Sequence, residues 1–290
     1  MIYIFGQKAK QVDNLYIKEL SQYLDSKNID YKFYEPFYAE LKEFIDISSD
    51  TFADYNDVCV DNPDYFVSLG GDGTILSAMT IIREKEIPII GINLGRLGFL
   101  ASIEKQRISE AMDHVLNGQY RIVKRSMISL ESEIGLFGET PFALNDFTIS
   151  KRDTSSMVII HAYIDGEFLN SYWADGLIIA TPTGSTGYSL SCGGPIIYPG
   201  SGNLVITPIA PHNLNVRPMV IPDDKTLSFE IEGRSENFLC TLDARYETIG
   251  SDQRISIKRN PFNALLVKPE DVGFLKTIRN KLNWGLDKRN

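Results

Sequence analysis

Two rhythms of apolar and polar positions run along this chain, with a change near residue 101. Before it, short apolar runs alternate with segments of helical spacing. Met1 to Phe5 is a strand-like run. Gln11 to Lys27 carries Val12, Leu15, Tyr16, Leu20, Tyr23 and Leu24 at the spacing of one amphipathic helix. Tyr65 to Leu69 predicts a buried strand between Pro63 and Gly70-Gly71. Thr74 to Lys85 predicts a helix capped by Thr74, and Ile87 to Ile92 a further strand. Strand, helix, strand in this order predicts a parallel sheet covered by helices.

After Leu100 the period shortens. Ile103 to Asn117 reads as one more helix. Beyond Tyr120 come Ile128–Ser132, Phe142–Ser150, Met157–Ile164, Leu177–Thr181, Leu227–Ile231, Phe238–Leu242, Ile255–Lys258 and Ala264–Val267. Turn pairs such as Asp165-Gly166, Glu232-Gly233 and Pro222-Asp223 separate them. This predicts an all-β region, a sandwich of layered sheets. Phe274 to Leu282 closes as a short helix. The expected organisation is an α/β domain with a parallel sheet over 1–101, a β-rich domain over 102–268, and a helical tail over 269–290 returning to the first domain.

Composition narrows the partners. Lys and Arg total 29 against 38 Asp and Glu, a net charge of −9, which disfavours non-specific nucleic-acid binding. An anionic ligand must therefore meet its cations locally. Cys59, Cys192 and Cys240 are widely spaced and lack a CxxC pair, so neither a disulfide framework nor a thiolate zinc site is expected. The opening MIYIFGQKAK has too short an apolar run for a signal peptide, and no apolar stretch is long enough to span a bilayer. A soluble cytoplasmic protein is expected.

Chemistry concentrates in two glycine-rich segments. The first is Phe66 to Thr74, a strand running into Gly70-Gly71-Asp72-Gly73 and a helix start. Such turns bring backbone N–H groups and a helix N-terminus against anionic oxygens. A plain turn capped by Asp72 would not need this many glycines. The carboxylate suits either Mg²⁺ on a polyphosphate or a proton taken from a hydroxyl nucleophile. Neither a Walker A loop nor G-x-G-x-x-G is present. The second segment, Asp175 to Pro195, is a strand leading into Thr181-Pro182-Thr183-Gly184-Ser185-Thr186-Gly187-Tyr188-Ser189-Leu190-Ser191. It offers many donors and acceptors with little bulk, and Tyr188 offers a flat face for an adenine or nicotinamide ring. On the residues alone it reads equally as a ligand loop or as a glycine-rich helix cap. It holds no G-x-S-x-G.

Gly70-Gly71-Asp72-Gly73-Thr74 resembles the GGDGT signature shared by NAD kinases, diacylglycerol kinases and phosphofructokinases. The turn Gly91 to Leu100 and the Asp175–Pro195 segment resemble the NAD kinase family specifically, and the similarity spans roughly residues 60–285. Asn145-Asp146 stands where that family usually has Asn-Glu. Asp243-Ala244-Arg245 stands where Asp-Gly-Gln is common. Trp173 occupies a position often basic or polar. Ala210-Pro211-His212 resembles the loop on the adenine side, and Trp284-Gly285 a terminal feature.

The resemblance implies ATP-dependent phosphorylation of the 2′-hydroxyl of the adenosine ribose of NAD, with Mg²⁺ accompanying ATP and a homodimer or homotetramer. It implies Asp72 as base or orienter. It assigns nucleotide binding to Gly71, Asp72, Gly73, Asn145, Asp146, Trp173, Asp175, Thr183, Thr186, Gly187, Tyr188, Ser189, Leu190, Ser191, Ala210 and Arg245. Arg96 is read as a local cation or a surface arginine, Lys151-Arg152 and Lys124-Arg125 as phosphate attractors or solvated loops. His114 and His161 read as structural, and His212 as a site or turn residue. Two other classes remain open: a lipid or sugar kinase of the same superfamily, and a non-catalytic NAD(P)-sensing module. The expectation is that the turn bearing Asp72 and the turn bearing Tyr188 converge on one dinucleotide.

Overall fold

The computed structural model describes residues 1–95, 98–152, 157–233, 237–251, 253–270 and 273–284. Arg96 and Gly285 lie outside them. The chain divides into two compact units, Met1–Lys124 joined by the segment from Ala264, and Arg125–Asn263.

In the first unit a mostly parallel sheet runs in the order Asp50–Phe52, Tyr31–Tyr34, Ile2–Gly6, Tyr65–Leu69, Ile89–Asn93, Ala264–Lys268, Arg121–Arg125, with Ile103–Glu104 added beside Ile89–Asn93. Its central strands are buried along their whole length, Ile2–Gly6 and Ile89–Asn93 at every position. That is why they read as continuous apolar runs rather than alternations. Helix Asn14–Ser26 sits with Ile17, Leu20 and Leu24 inward, on the same face as Ile108, Met112 and Val115 of helix Ile108–Leu116.

This unit runs past residue 101, where the sequence pattern suggested a boundary. The hydroxyl of Ser109 donates to Glu19 at 2.7 Å and Tyr23 donates to Asp113. The helix after Leu100 is therefore stitched to the first helix of the chain. Ala264–Lys268, grouped by its rhythm with the β-rich region, instead pairs parallel to Ile89–Asn93, with Leu266 opposite Ile89. Two further expectations shift. The helix after the GGDGT turn is Asp72–Ile82, with Gly71 at its N-cap, so Thr74 lies inside the first turn and caps nothing. Lys124-Arg125 lies at the end of the strand Arg121–Arg125, and Arg125 is buried.

The second unit is built from two six-stranded sheets. One orders Met219–Pro222, Asn203–Ile209, Gly176–Ala180, Asp146–Lys151, Phe238–Leu242, Arg245–Ile249. The other orders Glu167–Ala174, Val158–Ile164, Leu227–Gly233, Ile255–Arg259, Ile128–Ser132, Phe142–Ala143. All the pairings within them are antiparallel. Val158–Ile164 and Leu227–Gly233 alternate buried and partly exposed positions, the signature of sheets with one dry face. Phe147, Ile149 and Leu242 of one sheet share a core with Phe229, Ile231 and Ile160 of the other. Cys59, Cys192 and Cys240 are free thiols. Among the described residues no helix is long and apolar enough to cross a membrane.

Candidate active site

In the first unit, chain order along the sheet reverses between Ile2–Gly6 and Tyr65–Leu69. The segments leaving these neighbouring strands splay apart there, which opens a crevice at their carboxyl ends. A cleft of about 770 Å³ lies at that point, between Gln7, Lys8 and Lys10 after one strand and Gly70, Gly71 and Thr74 after the other.

The three glycines of the turn do different work. A Cβ on Gly70 would stand 2.1 Å from the Thr74 hydroxyl, so the fold itself demands that glycine. A Cβ on Gly71 or Gly73 would meet no atom of the described residues within 4 Å. No contact among the described residues calls for those two glycines, and they leave the backbone open to close approach. No side chain caps the helix Asp72–Ile82. The Thr74 N–H is spent on the Gly71 carbonyl at 3.0 Å, which leaves the N–H groups of Asp72 and Gly73 and the positive dipole end of the helix as the part suited to phosphate oxygens.

Asp72 does not turn back to cap its own helix. Its carboxylate crosses to the following loop, where Oδ2 accepts the Phe99 N–H at 2.8 Å and Oδ1 accepts those of Leu100 and Ala101 at 3.0 Å each. Gly98 makes the approach possible, because a Cβ there would lie 1.8 Å from Asp72 Oδ1. A carboxylate has about four acceptor positions. Among the described residues three are filled, and one position on Oδ2 is left.

In the second unit the turn after Gly176–Ala180 packs against the start of Asp146–Lys151. Thr181 donates its N–H to the Asn145 carbonyl at 2.9 Å and its hydroxyl to the Leu144 carbonyl at 2.6 Å. Gly184 sits so close that a Cβ would be 2.0 Å from the Asn145 carbonyl oxygen. Asp243, in a left-handed turn at φ 55°, accepts the N–H groups of Leu144 at 3.0 Å and Asn145 at 2.7 Å. Burial raises the pKa of its carboxyl.

Asp146 is the second unit's distinctive group. It is 7% exposed, and among the described residues its carboxylate accepts one side-chain hydrogen bond, from the Thr148 hydroxyl at 3.4 Å. Burial, and then the neighbouring Asp243 charge, push its pKa up to about 7. Oδ2 points toward Gly187, where a Cβ would be 4.0 Å away. The ring of Tyr188 is half exposed, and its hydroxyl pKa is raised by burial and then by the charges of Cys192, Asp146 and Asp175. Asp146, Gly187, Tyr188 and Asp175 are thus neighbours on one face.

Not every residue expected at this face presents its polar atoms to solvent. Ser189 is fully buried, its hydroxyl paired with Thr207 at 2.8 Å. Thr183 is buried, and its carbonyl receives the Thr186 hydroxyl at 3.1 Å. Arg245 donates to the Thr140 carbonyl and hydroxyl at 2.7 and 2.8 Å and to the Phe142 carbonyl, which ties down a neighbouring strand. Asp175 pairs with Lys151 at 2.7 Å. Gly187, Ser191, Ala210 and Trp173 are exposed and Leu190 half-buried. His161 Nδ1 bonds Ser171 at 2.7 Å, a structural use.

Sequence reasoning missed Gln7, Lys8 and Lys10, which line the cleft. Their signal was their place, directly after the first strand of an α/β unit.

Models of the ATP-NAD kinase N-terminal domain and the ATP-NAD kinase C-terminal domain match residues 10–120 and 144–268. The chain belongs to the NAD kinase family. It is 47% identical to the NAD kinase of Cytophaga hutchinsonii over the whole of both chains. It is 46% identical to that of Flavobacterium psychrophilum, covering all of this chain and 99% of the relative. The fold is shared with yeast NADH kinase complexed with NADH, at a TM-score of 0.87 and 23% identity over 99% of this chain and 88% of that one. It is shared too with an NAD kinase from Archaeoglobus fulgidus in complex with ATP, at 0.73 and 23% over 98% of each. The family expectation and the α/β-plus-β architecture drawn from the sequence are thereby borne out. The family's reaction is ATP-dependent phosphorylation of NAD to NADP.

Proposed function

We propose that this chain transfers the γ-phosphoryl group of MgATP to the 2′-hydroxyl of the adenosine ribose of NAD, with Asp72 taking the hydroxyl proton. The observation that carries this reading is the Asp72 carboxylate: clamped by the Phe99, Leu100 and Ala101 N–H groups, with one acceptor position left on Oδ2. The new bond joins the ribose oxygen to the γ-phosphorus as the bond to the β-phosphate bridging oxygen breaks. ADP leaves, and the proton passes through Asp72 to solvent. General-base help of this kind is worth about 10²–10⁴-fold. The rest is positioning and charge neutralisation.

Gly71, Gly73 and the open helix terminus receive phosphate oxygens, with Lys8 and Lys10 supplying the local cations that an acidic chain needs. A divalent cation belongs with the nucleotide. Among the described residues no group of three His, Cys, Asp or Glu side chains could hold a metal, which suits Mg²⁺ carried on the phosphates themselves. In the second unit, Asn145 and Asp146 hold the adenosine ribose, Asp175 the nicotinamide amide, and Tyr188 a ring face. Trp173, Ala210 and Thr186 to Ser191 form the surrounding wall. Thr183, Ser189 and Arg245 support its shape from behind. The composition and the absence of a long apolar segment support work in the cytoplasm, and the family resemblance supports a homodimer or homotetramer.

The test is NADP formation from purified protein with ATP, Mg²⁺ and NAD, beside parallel reactions offering a diacylglycerol or fructose 6-phosphate. NADP as the sole product supports the proposal. A phosphorylated lipid or sugar, or NAD binding without turnover, overturns it.

A further inference from the structure

Lys268 is 5% exposed at the end of the strand Ala264–Lys268, in the C-terminal segment of the first unit. A lysine this deep must have its ammonium matched. Its Nζ donates to the Leu100 carbonyl at 2.6 Å and reaches the Phe99 carbonyl at 3.4 Å. Those carbonyls belong to the same peptide units whose N–H groups, of Ala101 and Leu100, rest on Asp72 Oδ1 at 3.0 Å. Two peptide dipoles are thus aligned in parallel, oxygen ends on the ammonium and N–H ends on the carboxylate. In such a chain each hydrogen bond polarises the next. Both charges are drawn toward the same short loop, and both hold it.

We propose that Lys268 is a positioning residue for Asp72, acting through the 99–101 peptides. The proposal rests on the reading of Asp72 as the proton acceptor. Its ammonium fixes the orientation of two peptide groups. Those groups fix the plane of the carboxylate and so the direction of the remaining Oδ2 acceptor position. Loss of the ammonium lets the loop carbonyls rotate and the carboxylate follow. Lys268 is not among the residues proposed to touch either nucleotide, so its effect falls on the transfer step and not on substrate capture.

The experiment is a double-mutant cycle on the full chain, reading kcat and KM for NADP formation and the NAD dissociation constant by calorimetry. Lys268→Met is expected to lower kcat about 10- to 100-fold, the scale of a misplaced reacting group. Both KM values and the NAD dissociation constant should stay within about twofold. Lys268→Gln keeps an N–H donor without the charge and falls between wild type and Lys268→Met. It also replaces Lys268→Met should that variant fail to fold. In an Asp72→Asn background, either Lys268 substitution should change the residual kcat by less than about twofold, because its target is already gone. An unchanged kcat in both Lys268 variants, or a full additional loss in the Asp72→Asn background, overturns the proposal. If Asp72→Asn alone leaves kcat intact, the base reading fails instead, and the cycle separates that result from a failure of the Lys268 role.

Discussion

Asp72 opens the helix that follows a buried strand, Asp146 opens a buried strand of the other unit, and the surroundings of the two carboxylates differ sharply. Asp72 is half-buried and accepts three backbone N–H groups. Asp146 is buried beside a second carboxylate, with one weak hydroxyl partner and a pKa pushed up to about 7. The first is oriented by its fold and keeps one acceptor position that no donor among the described residues fills. The second is held by one long hydroxyl bond beside a like charge. Orientation suits proton transfer, and an unfilled polar site suits recognition.

The largest expected effect breaks the first half of that contrast. Asp72→Asn keeps the shape but replaces one acceptor oxygen by an amide donor. NADP formation should fall at least about 100-fold, within the range of lost general-base help, while calorimetry still detects NAD binding. Next comes Gly98→Ala, which changes no polar atom. Its methyl would lie 1.8 Å from Asp72 Oδ1, so the carboxylate must leave its three donors. Turnover should drop about 10- to 100-fold with KM for NAD nearly unchanged. A Gly98→Ala enzyme with wild-type kcat would show that the clamp is irrelevant.

The other half is sharpened by pH. The Asp146 carboxyl has an ordinary value of 3.8 and a folded value near 7. Between those values this carboxyl binds more protons in the native state than in the unfolded chain, so its contribution to stability is fullest on the acid side and is lost as pH climbs from about 4 to about 7. Asp243, also raised by burial, adds to the same slope. Asp146→Asn should flatten the slope and raise stability at pH 8 by on the order of 1 kcal/mol, about 2–4 °C in Tm. A variant that melts lower at pH 8, with the slope intact, would place the unfavourable charge elsewhere. The smallest effect is expected at Asp175. Its partner Lys151 is partly exposed, and Lys151→Met should change stability by less than about 1 kcal/mol in thermal melts.

Legibility in the sequence followed burial. Tyr65–Leu69, Ile128–Ser132 and Phe238–Leu242 have the bounds the apolar pattern predicts, the first because it is a nearly continuous buried run and the other two because buried positions alternate with less buried ones. Tyr31–Tyr34 and Asp50–Phe52 were missed because they are short strands at one side of the sheet with polar positions among the apolar ones. Asn203–Ile209 carries Pro208 inside a buried strand, which reads as a break. The apolar run Ala264–Val267 predicts a strand but not its place in the first unit's sheet, because periodicity names a strand and not its neighbours. At the site, the glycines and Asp72 were visible as a motif. The cradle of Asp72 was not, since backbone N–H groups leave no trace in side-chain identity. Lys268 was invisible for a related reason: a lysine at a strand end reads as solvated until its carbonyl partners are seen.

The most direct measurement is a crystal structure of this protein with NAD bound. The account predicts the 2′-oxygen of the adenosine ribose within about 2.6–3.2 Å of Asp72 Oδ2, with the Phe99, Leu100 and Ala101 N–H groups still on that carboxylate. A 2′-oxygen out of hydrogen-bonding reach of Asp72, or one facing a different carboxylate, would contradict it.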